Sequence, residues 1–352
     1  MSDNVDKFCE ALRVNLSRTK NFIAKVGEGI QSAFGVKTFT VYSMLTKQER
    51  ENLFRLAKNT PLKKGDSILE FGVFFGGSSE ALGKGLALNK TSTENKIFAV
   101  DTFCCSKPGG LYEIVFERAK LVDGTQFLEK NGSTVDWYKY VQSNLKRFEN
   151  IELLQQDSKG YEHDGSPVAI LHLDLPKFYS EMHIILAKVV GFLKPGAFIV
   201  FQDFFYHWSA EIIAFIYFLI KNEKVAFQYA QDPTLAVKNI NLSSKDLEDF
   251  RLVLQSYEKT RDLLFESINF LKMHIQPSQT ENLYMAIVQY STQHQDVASS
   301  EKAMGLVGFP NASDHVVRIH QELAEYNFDL RQSYLNNFID LPFEKSEKVA
   351  RF

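Results

Sequence analysis

The feature that most constrains the fold is a short apolar run that ends in an acidic residue and passes through glycines into a helix. It reads Ile68-Leu69-Glu70-Phe71-Gly72-Val73-Phe74-Phe75-Gly76-Gly77-Ser78-Ser79. Glycines let the backbone turn sharply and approach a ligand closely, and the first N–H groups of the following helix favour an anion. A strand, a glycine turn and a helix in this order begin a βαβ unit. The segment therefore predicts a parallel sheet with a ligand site at the turn.

Short apolar runs alternate with helical stretches after this turn, and such alternation predicts further βαβ units. The expected strands are 67–71, 96–100, 151–155, 168–173 and 197–202, with a closing antiparallel pair at 224–229 and 235–239. The expected helices between them are 79–88, 135–148, 180–192 and 210–222. These elements predict an α/β fold built on a Rossmann-like, seven-stranded, mostly parallel sheet.

Helical patterns flank the predicted sheet on both sides. Residues 5–34 have apolar positions at helical spacing, and Thr46 with Glu49 forms a capping box that predicts a helix ending before Pro61. The spacing beyond Asn241 predicts further helices. They are expected as one long helix at 247–275 and two more at 281–294 and 313–338.

These patterns divide the chain into three parts. We expect N-terminal helices over 1–60, with a lid or dimerisation role, a ligand-binding domain over 61–242 and a helical C-terminal region over 243–352. Apolar stripes on the flanking helices favour packing or dimerisation over chemistry, so a homo-oligomer is expected. The insertion 103–134 is rich in Lys and Gly, and a loop of that length commonly forms a lid or a binding loop.

Charge and hydropathy limit the classes of partner. A formal net charge of −3 and a pI near 6.3 show no excess of positive charge that would attract nucleic acid or an anionic membrane. The most apolar stretch, 212–220, is far shorter than the ~20 residues of a membrane span. The N-terminus has no basic start followed by an apolar run. We expect a cytoplasmic protein that acts on a small molecule.

Further acidic residues follow the other predicted strands. Asp101 closes the second strand, where nucleoside-binding α/β folds place a carboxylate that grips the ribose hydroxyls. A helix cap or turn cap is the alternative for Asp101. Asp157 follows the third strand, where it could meet an adenine or serve as an ordinary turn residue. Together with the glycine turn, Asp101 favours a nucleoside-containing ligand.

Two carboxylates end neighbouring strands and face one crevice. Asp174 follows the fourth strand and Asp203 the fifth. Such a pair can hold a hard divalent cation, which would lower the pKa of a bound substrate hydroxyl. Alternatively, one carboxylate or nearby His207 acts as general base without a metal, although His207 also fits a structural role. The aromatic residues that follow Asp203 fit either a substrate wall or the core; they are Phe204, Phe205, Tyr206 and Trp208.

The ordered motifs over residues 45–240 resemble the macrocin O-methyltransferase family. The resemblance rests on Gly65 to Val73, Gly76-Gly77-Ser78, Asp101-Thr102-Phe103, Leu171-His172-Leu173-Asp174, Lys194-Pro195-Gly196 and Gln202-Asp203. This family comprises metal-dependent class I enzymes that use S-adenosylmethionine (SAM) to methylate hydroxyls, often on sugars of natural products. The resemblance implies a SAM site formed by Glu70, Gly72, Gly76, Ser78 and Asp101, to which the turn adds Gly77 and Ser79 and the third strand adds Asp157. It also implies that Asp174 and Asp203 hold Mg²⁺ and the reacting hydroxyl.

The chain departs from the family at two places in the metal site. It reads Leu175-Pro176-Lys177 where the family has a further acidic residue, and Gln202-Asp203 where the family has two adjacent acidic residues. Gln202 still offers a carbonyl oxygen as a third ligand. The leading hypothesis is therefore O-methylation of a small natural product or sugar, with Mg²⁺ as an aid. Metal-independent N- or C-methylation and a non-catalytic SAM-fold interaction module are the alternatives.

Overall fold

A computed structural model of the chain describes residues 39–307, apart from 93, 108–109, 122–123, 132, 176–177, 232 and 295. The helices expected within 5–34 and at 313–338 lie outside the described residues. No helix within the described part is both long and apolar enough to cross a membrane.

Ten strands are described. They are β1 (Ser67–Phe71), β2 (Lys96–Asp101), β3 (Cys104–Ser106), β4 (Glu129–Asn131), β5 (Thr134–Asp136), β6 (Ile151–Gln155), β7 (Val168–Leu173), β8 (Leu193–Phe201), β9 (Val225–Gln231) and β10 (Thr234–Asn239). The helices are α1 (Lys47–Asn59), α2 (Gly77–Ala87), α3 (Gly110–Leu121), α4 (Tyr138–Leu145), α5 (Tyr179–Val189), α6 (Ala210–Lys221), α7 (Ser244–Leu254), α8 (Tyr257–Leu271), α9 (Pro277–Gln293) and α10 (Val297–Val307).

Seven strands form the main sheet in the order β6-β2-β1-β7-β8-β10-β9. The first five are mutually parallel, while β10 runs antiparallel to both β8 and β9. This is the arrangement of the class I methyltransferase fold, so the predicted fold class and its closing antiparallel pair are confirmed.

The central strands are buried along their whole length, which is typical of a parallel sheet covered on both faces. Leu69 and Phe71 point to one face, where they join a core with residues of α5 and α6 such as Met182 and Phe215. Helices α7 to α9 contribute to the same core. The alternate positions Glu70 and His172 lie side by side on the other face, and each is fully buried.

Three predicted elements differ in the structure. The helix expected at 135–148 is confined to α4, and residues 134–136 form β5 instead. The insertion 103–134 is not one long loop, because β3, β5 and β4 pair into a small antiparallel sheet beside α3. The expected helix 247–275 is two helices, α7 and α8, because Ser256 begins a new helix by accepting the main-chain N–H of Lys259 through its hydroxyl. The capping box at the start of α1 is confirmed.

Candidate functional site

The chain crosses from one half of the sheet to the other at β1. It passes from β1 to β2 and β6, and it returns to β7 on the opposite side of β1. A crevice opens at such a switch point, outside the carboxyl ends of the strands. Gly72 lies there with a φ of 91°, and a Cβ at this position would be 2.9 Å from both the carbonyl carbon of Asp174 and the nitrogen of Leu175. Only glycine allows this close approach of the two loops.

The glycine turn leads into α2 without a capping side chain. Gly76 is the N-cap residue and has a φ of 92°. The main-chain N–H groups of the first three residues of α2, Gly77 to Ser79, have no acceptor within the described part of the chain. Unpaired N–H groups at a helix start carry partial positive charge and attract an anion. The turn therefore has the geometry of a subsite for a carboxylate or a phosphate.

Glu70 connects three elements below this turn. Its Oε2 accepts a hydrogen bond from the Ser79 hydroxyl of α2, and its Oε1 lies 3.2 Å from Nδ1 of His172 on β7. Burial lowers the pKa of His172, but the hydrogen bond to Glu70 and nearby carboxylates outweigh burial and raise that pKa above its ordinary value. Both oxygens of Glu70 thus have partners inside the fold.

Asp101 holds two turns through its carboxylate. Its Oδ2 accepts the main-chain N–H groups of Val73 at 2.8 Å and Phe74 at 3.0 Å, and its Oδ1 accepts that of Phe103 at 2.8 Å. Phe74 and Phe103 have φ values of 48° and 51°, a left-handed conformation that non-glycine residues rarely adopt. Burial raises the pKa of Asp101, and these hydrogen bonds partly oppose it. The turn-cap alternative for Asp101 is therefore present in the structure.

Asp157 lies beyond β6, at the edge of the main sheet. Its Oδ1 accepts the main-chain N–H of Lys159 at 2.7 Å and so closes a turn. The carboxylate is partly exposed. This is the geometry of an ordinary turn residue, which is one of the two alternatives that the sequence leaves for Asp157.

Asp174 and Asp203 follow the adjacent strands β7 and β8, and both are partly exposed at the carboxyl edge. Gln202 is different, because its side chain is buried and already engaged. Its Oε1 accepts from the Thr234 hydroxyl at 2.9 Å, and its Nε2 donates to Glu49 of α1. No group of three His, Cys, Asp or Glu side chains able to hold a metal occurs among the described residues. Gln202 therefore does not fit its predicted place as a third magnesium ligand beside Asp174 and Asp203.

The residues after Asp203 lie partly in the main core and partly at the carboxyl edge of the sheet. Phe204 and Phe205 are buried in the main core. Tyr206 and Trp208 are partly exposed and stack with ring centroids 4.4 Å apart. His207 begins a short 3-10 turn, but its side chain lies outside the described part, so its role as a base stays a prediction.

Two residues of this edge were not predicted as part of the site. His172 binds Glu70, and Glu49 binds Gln202. The sequence does signal Glu49 as a member of a capping box, but a local motif carries no information about a partner 153 residues away.

A cavity of about 550 Å³ lies away from this crevice. Its walls include the first residues of β1 and β2, such as Ser67 and Lys96, together with Tyr161 and Asp164. The cavity is thus near the amino ends of the strands, whereas the glycine turn and Asp203 lie at the carboxyl ends.

No family model matches the sequence, and no curated protein matches it. Among solved structures, the O-methyltransferase NovP is similar over 57% of this chain and 84% of its own, with 13% identity and a TM-score of 0.41. CalS11, a TDP-rhamnose 3'-O-methyltransferase of calicheamicin biosynthesis, covers 54% of this chain and 77% of its own, with 18% identity and a TM-score of 0.34. An O-methyltransferase from Bacillus cereus in complex with SAH covers 63% and 91%, with 16% identity and a TM-score of 0.33. These likenesses are distant, and the fold assignment rests on the strand order and register of the chain itself.

Proposed function

We propose that the chain is a SAM-dependent methyltransferase that acts on a hydroxyl group of a small molecule. The observation that carries the proposal is the glycine turn at the switch point of the sheet. It leads into a helix whose first three N–H groups have no acceptor among the described residues. This turn offers a subsite for the carboxylate of an amino-acid moiety. Asp101 lies at the end of the neighbouring strand, where a ribose would be recognised.

The residues present fit SAM. The N–H groups of Gly77, Ser78 and Ser79 would hold its carboxylate. Oδ1 of Asp101 accepts one N–H, which leaves a lone pair for a ribose hydroxyl. The bound cofactor supplies a methyl group on a positively charged sulfur, which a nucleophile can accept.

Asp174 and Asp203 are the groups that would act on the methyl acceptor. Each ends a strand next to the crevice, and each carboxylate can accept a hydrogen bond from a hydroxyl and take its proton as general base. Holding the hydroxyl in line for transfer would lower the barrier as well.

We infer that the reaction proceeds without a metal ligated by Gln202. Thr234 and Glu49 engage both polar groups of its side chain in a buried cluster, so turning the oxygen toward a metal at the crevice would disrupt that cluster. Activity that persists in EDTA would support this inference, whereas activity that is lost in EDTA, recovers in Mg²⁺ and needs more Mg²⁺ in Gln202→Ala would contradict it.

Calorimetry with SAM and S-adenosylhomocysteine tests cofactor binding directly. Gly72→Ala is the informative variant, because its Cβ would lie 2.9 Å from backbone atoms, and Gly191→Ala is the matched control, because nothing lies within 4 Å of its Cβ. We expect binding by the wild type and the control, and at least tenfold weaker binding by Gly72→Ala. No heat of binding by the wild type would refute the proposal.

A panel of hydroxyl acceptors, including nucleotide sugars, phenols and catechols, tests the transfer step. We expect formation of S-adenosylhomocysteine with at least one of these compounds. Cofactor binding without turnover across the panel would favour a non-catalytic SAM-binding module instead.

A further inference from the structure

Glu49 is a buried carboxylate on the first turn of α1, and its side chain is 4% exposed. Its Oε2 accepts the main-chain N–H of Thr46 at 2.6 Å, which closes the capping box. Its Oε1 accepts a hydrogen bond from Nε2 of Gln202 and lies 3.3 Å from the Thr234 hydroxyl, whose proton goes to Gln202. One carboxylate thus contacts the start of a helix and the ends of two strands.

Gln202 is held on every side. Its main-chain N–H donates to the carbonyl oxygen of Leu173 at 2.9 Å, and its side-chain oxygen accepts from Thr234 at 2.9 Å. Its remaining polar group, Nε2, is the one that donates to Glu49. Removal of Glu49 would leave this buried amide without its acceptor, which costs more than the bond itself contributes.

The next residue, Asp203, has a φ of 58°. A left-handed conformation is unfavourable for a residue with a Cβ, and it persists only where the surroundings fix it. Gln202, whose side chain is bound by Glu49 and Thr234, precedes Asp203, and the Ser209 hydroxyl donates to the carbonyl oxygen of Asp203 at 3.1 Å. The anchored Gln202 thus immediately precedes a residue in an unfavourable backbone conformation.

We propose that Glu49 is a positioning residue for Asp203: by holding Gln202, it fixes the direction in which the Asp203 carboxylate meets the methyl acceptor. The inference rests on the proposed function, in which Asp203 receives the acceptor hydroxyl. Glu49 touches neither cofactor nor acceptor in this role. It acts through Gln202, and it links the start of α1 to the acceptor side of the site.

The pairing of a carboxylate with an amide allows a swap test. Glu49→Gln places an amide against the amide of Gln202, and Gln202→Glu places a carboxylate against that of Glu49. The double variant, which carries both substitutions, again pairs one carboxylate with one amide, but the amide N–H donor now belongs to residue 49. Glu51→Gln is the matched control, because Glu51 lies on the same helix and pairs with Lys47 and Arg55 instead.

The experiment measures kcat and KM with an acceptor from the panel that the wild type methylates, and the Kd for S-adenosylhomocysteine by calorimetry. We expect Glu49→Gln and Gln202→Glu to lower kcat by about tenfold to a hundredfold, as misplacement by about 1 Å does, with cofactor affinity within about twofold. The swapped double variant should recover most of kcat, and Glu51→Gln should match the wild type. Equal kcat for Glu49→Gln and Glu51→Gln, or a swap no better than its single variants, would overturn the proposal.

A crystal structure of Glu49→Ala separates this inference from the proposed function. We expect Asp203 to leave the left-handed region and its carboxylate to move, whether or not a methyl acceptor has been found. An unchanged Asp203 would overturn the positioning role even if the wild type is an active methyltransferase. A wild type that binds no cofactor would refute the proposed function and, with it, any role for Glu49 in methyl transfer.

Discussion

Replacement of Asp101 tests whether its carboxylate holds the two turns of the cofactor site. Asp101 is 8% exposed and accepts three main-chain N–H groups. Asn keeps one oxygen acceptor, so at least one of these N–H groups loses its partner, and an unsatisfied buried donor costs about 1–3 kcal/mol. Ala removes both oxygens and with them all three hydrogen bonds, and we expect the free energy of unfolding to fall by about 3–6 kcal/mol after partial relaxation. Because burial already raises the pKa of Asp101, loss of its charge offsets part of this cost.

Urea unfolding followed by tryptophan fluorescence measures these losses. Trp137 is a suitable probe, because it is 1% exposed and its Nε1 donates to the carbonyl oxygen of Phe74 at 3.0 Å, beside the turn that Asp101 holds. Asp157→Asn is the matched control, since its partly exposed carboxylate closes only a local turn. We expect the control to change the free energy of unfolding by less than about 1 kcal/mol. If Asp101→Ala lost cofactor affinity with an unchanged free energy of unfolding, Asp101 would act on the ligand alone and the reasoning would be refuted.

Three further predictions concern stability. Burial raises the pKa of Glu211 from 4.5 to about 7, so its stabilising contribution is fully present below pH 4.5 and is lost as the pH rises through 7. As the pH rises from 5 to 8.5, the free energy of unfolding of Glu211→Gln, measured in urea, should therefore increase by about 2 kcal/mol relative to that of the wild type. A difference between the two proteins that does not change with pH would contradict this. Gly77→Ala would place its Cβ 2.2 Å from Cβ of Ser43 and should lower the free energy of unfolding by about 1–3 kcal/mol. Gly191→Ala should change the free energy of unfolding little, because nothing lies within 4 Å of its Cβ. Ser79→Ala removes a buried donor to Glu70 and should cost about 1–3 kcal/mol, whereas a neutral result would mean that water replaces the hydroxyl.

The sequence predicts the main sheet well because its strands are apolar runs with clear ends. The bounds of β1, β6 and β7 agree with the prediction at both ends. The break between α7 and α8 is hidden, because Leu254 and Tyr257 continue the helical spacing of apolar residues across it. The three-residue strands of the insertion are too short to show an alternating pattern.

The candidate site can be predicted where a residue type determines the backbone conformation. It cannot be predicted where the contacts join residues that are far apart in the sequence. Gly72 and Gly76 have the positive φ values that only glycine adopts readily, and the glycines themselves signal the turn. The partners of Asp101 are main-chain groups, which any residue supplies, and two of them lie 27 and 28 residues earlier. No residue pattern marks such a bond, so the carboxylate looks the same in the sequence whether it binds a ligand or a turn.

The carboxylates at this edge of the sheet therefore divide into two kinds. Glu70 and Asp101 bind several groups inside the fold, so their replacement should reduce stability and cofactor affinity together. Asp174 and Asp203 are partly exposed at the crevice. Replacement of either carboxylate by the isosteric amide of Asn therefore affects less buried surface than replacement of Glu70 or Asp101 does. Asp174→Asn and Asp203→Asn should then lower turnover by about a hundredfold while the free energy of unfolding changes by less than that of Asp101→Asn. If the two kinds lost stability and turnover in equal proportion, all four carboxylates would be structural, and the acceptor would have to be activated by another group.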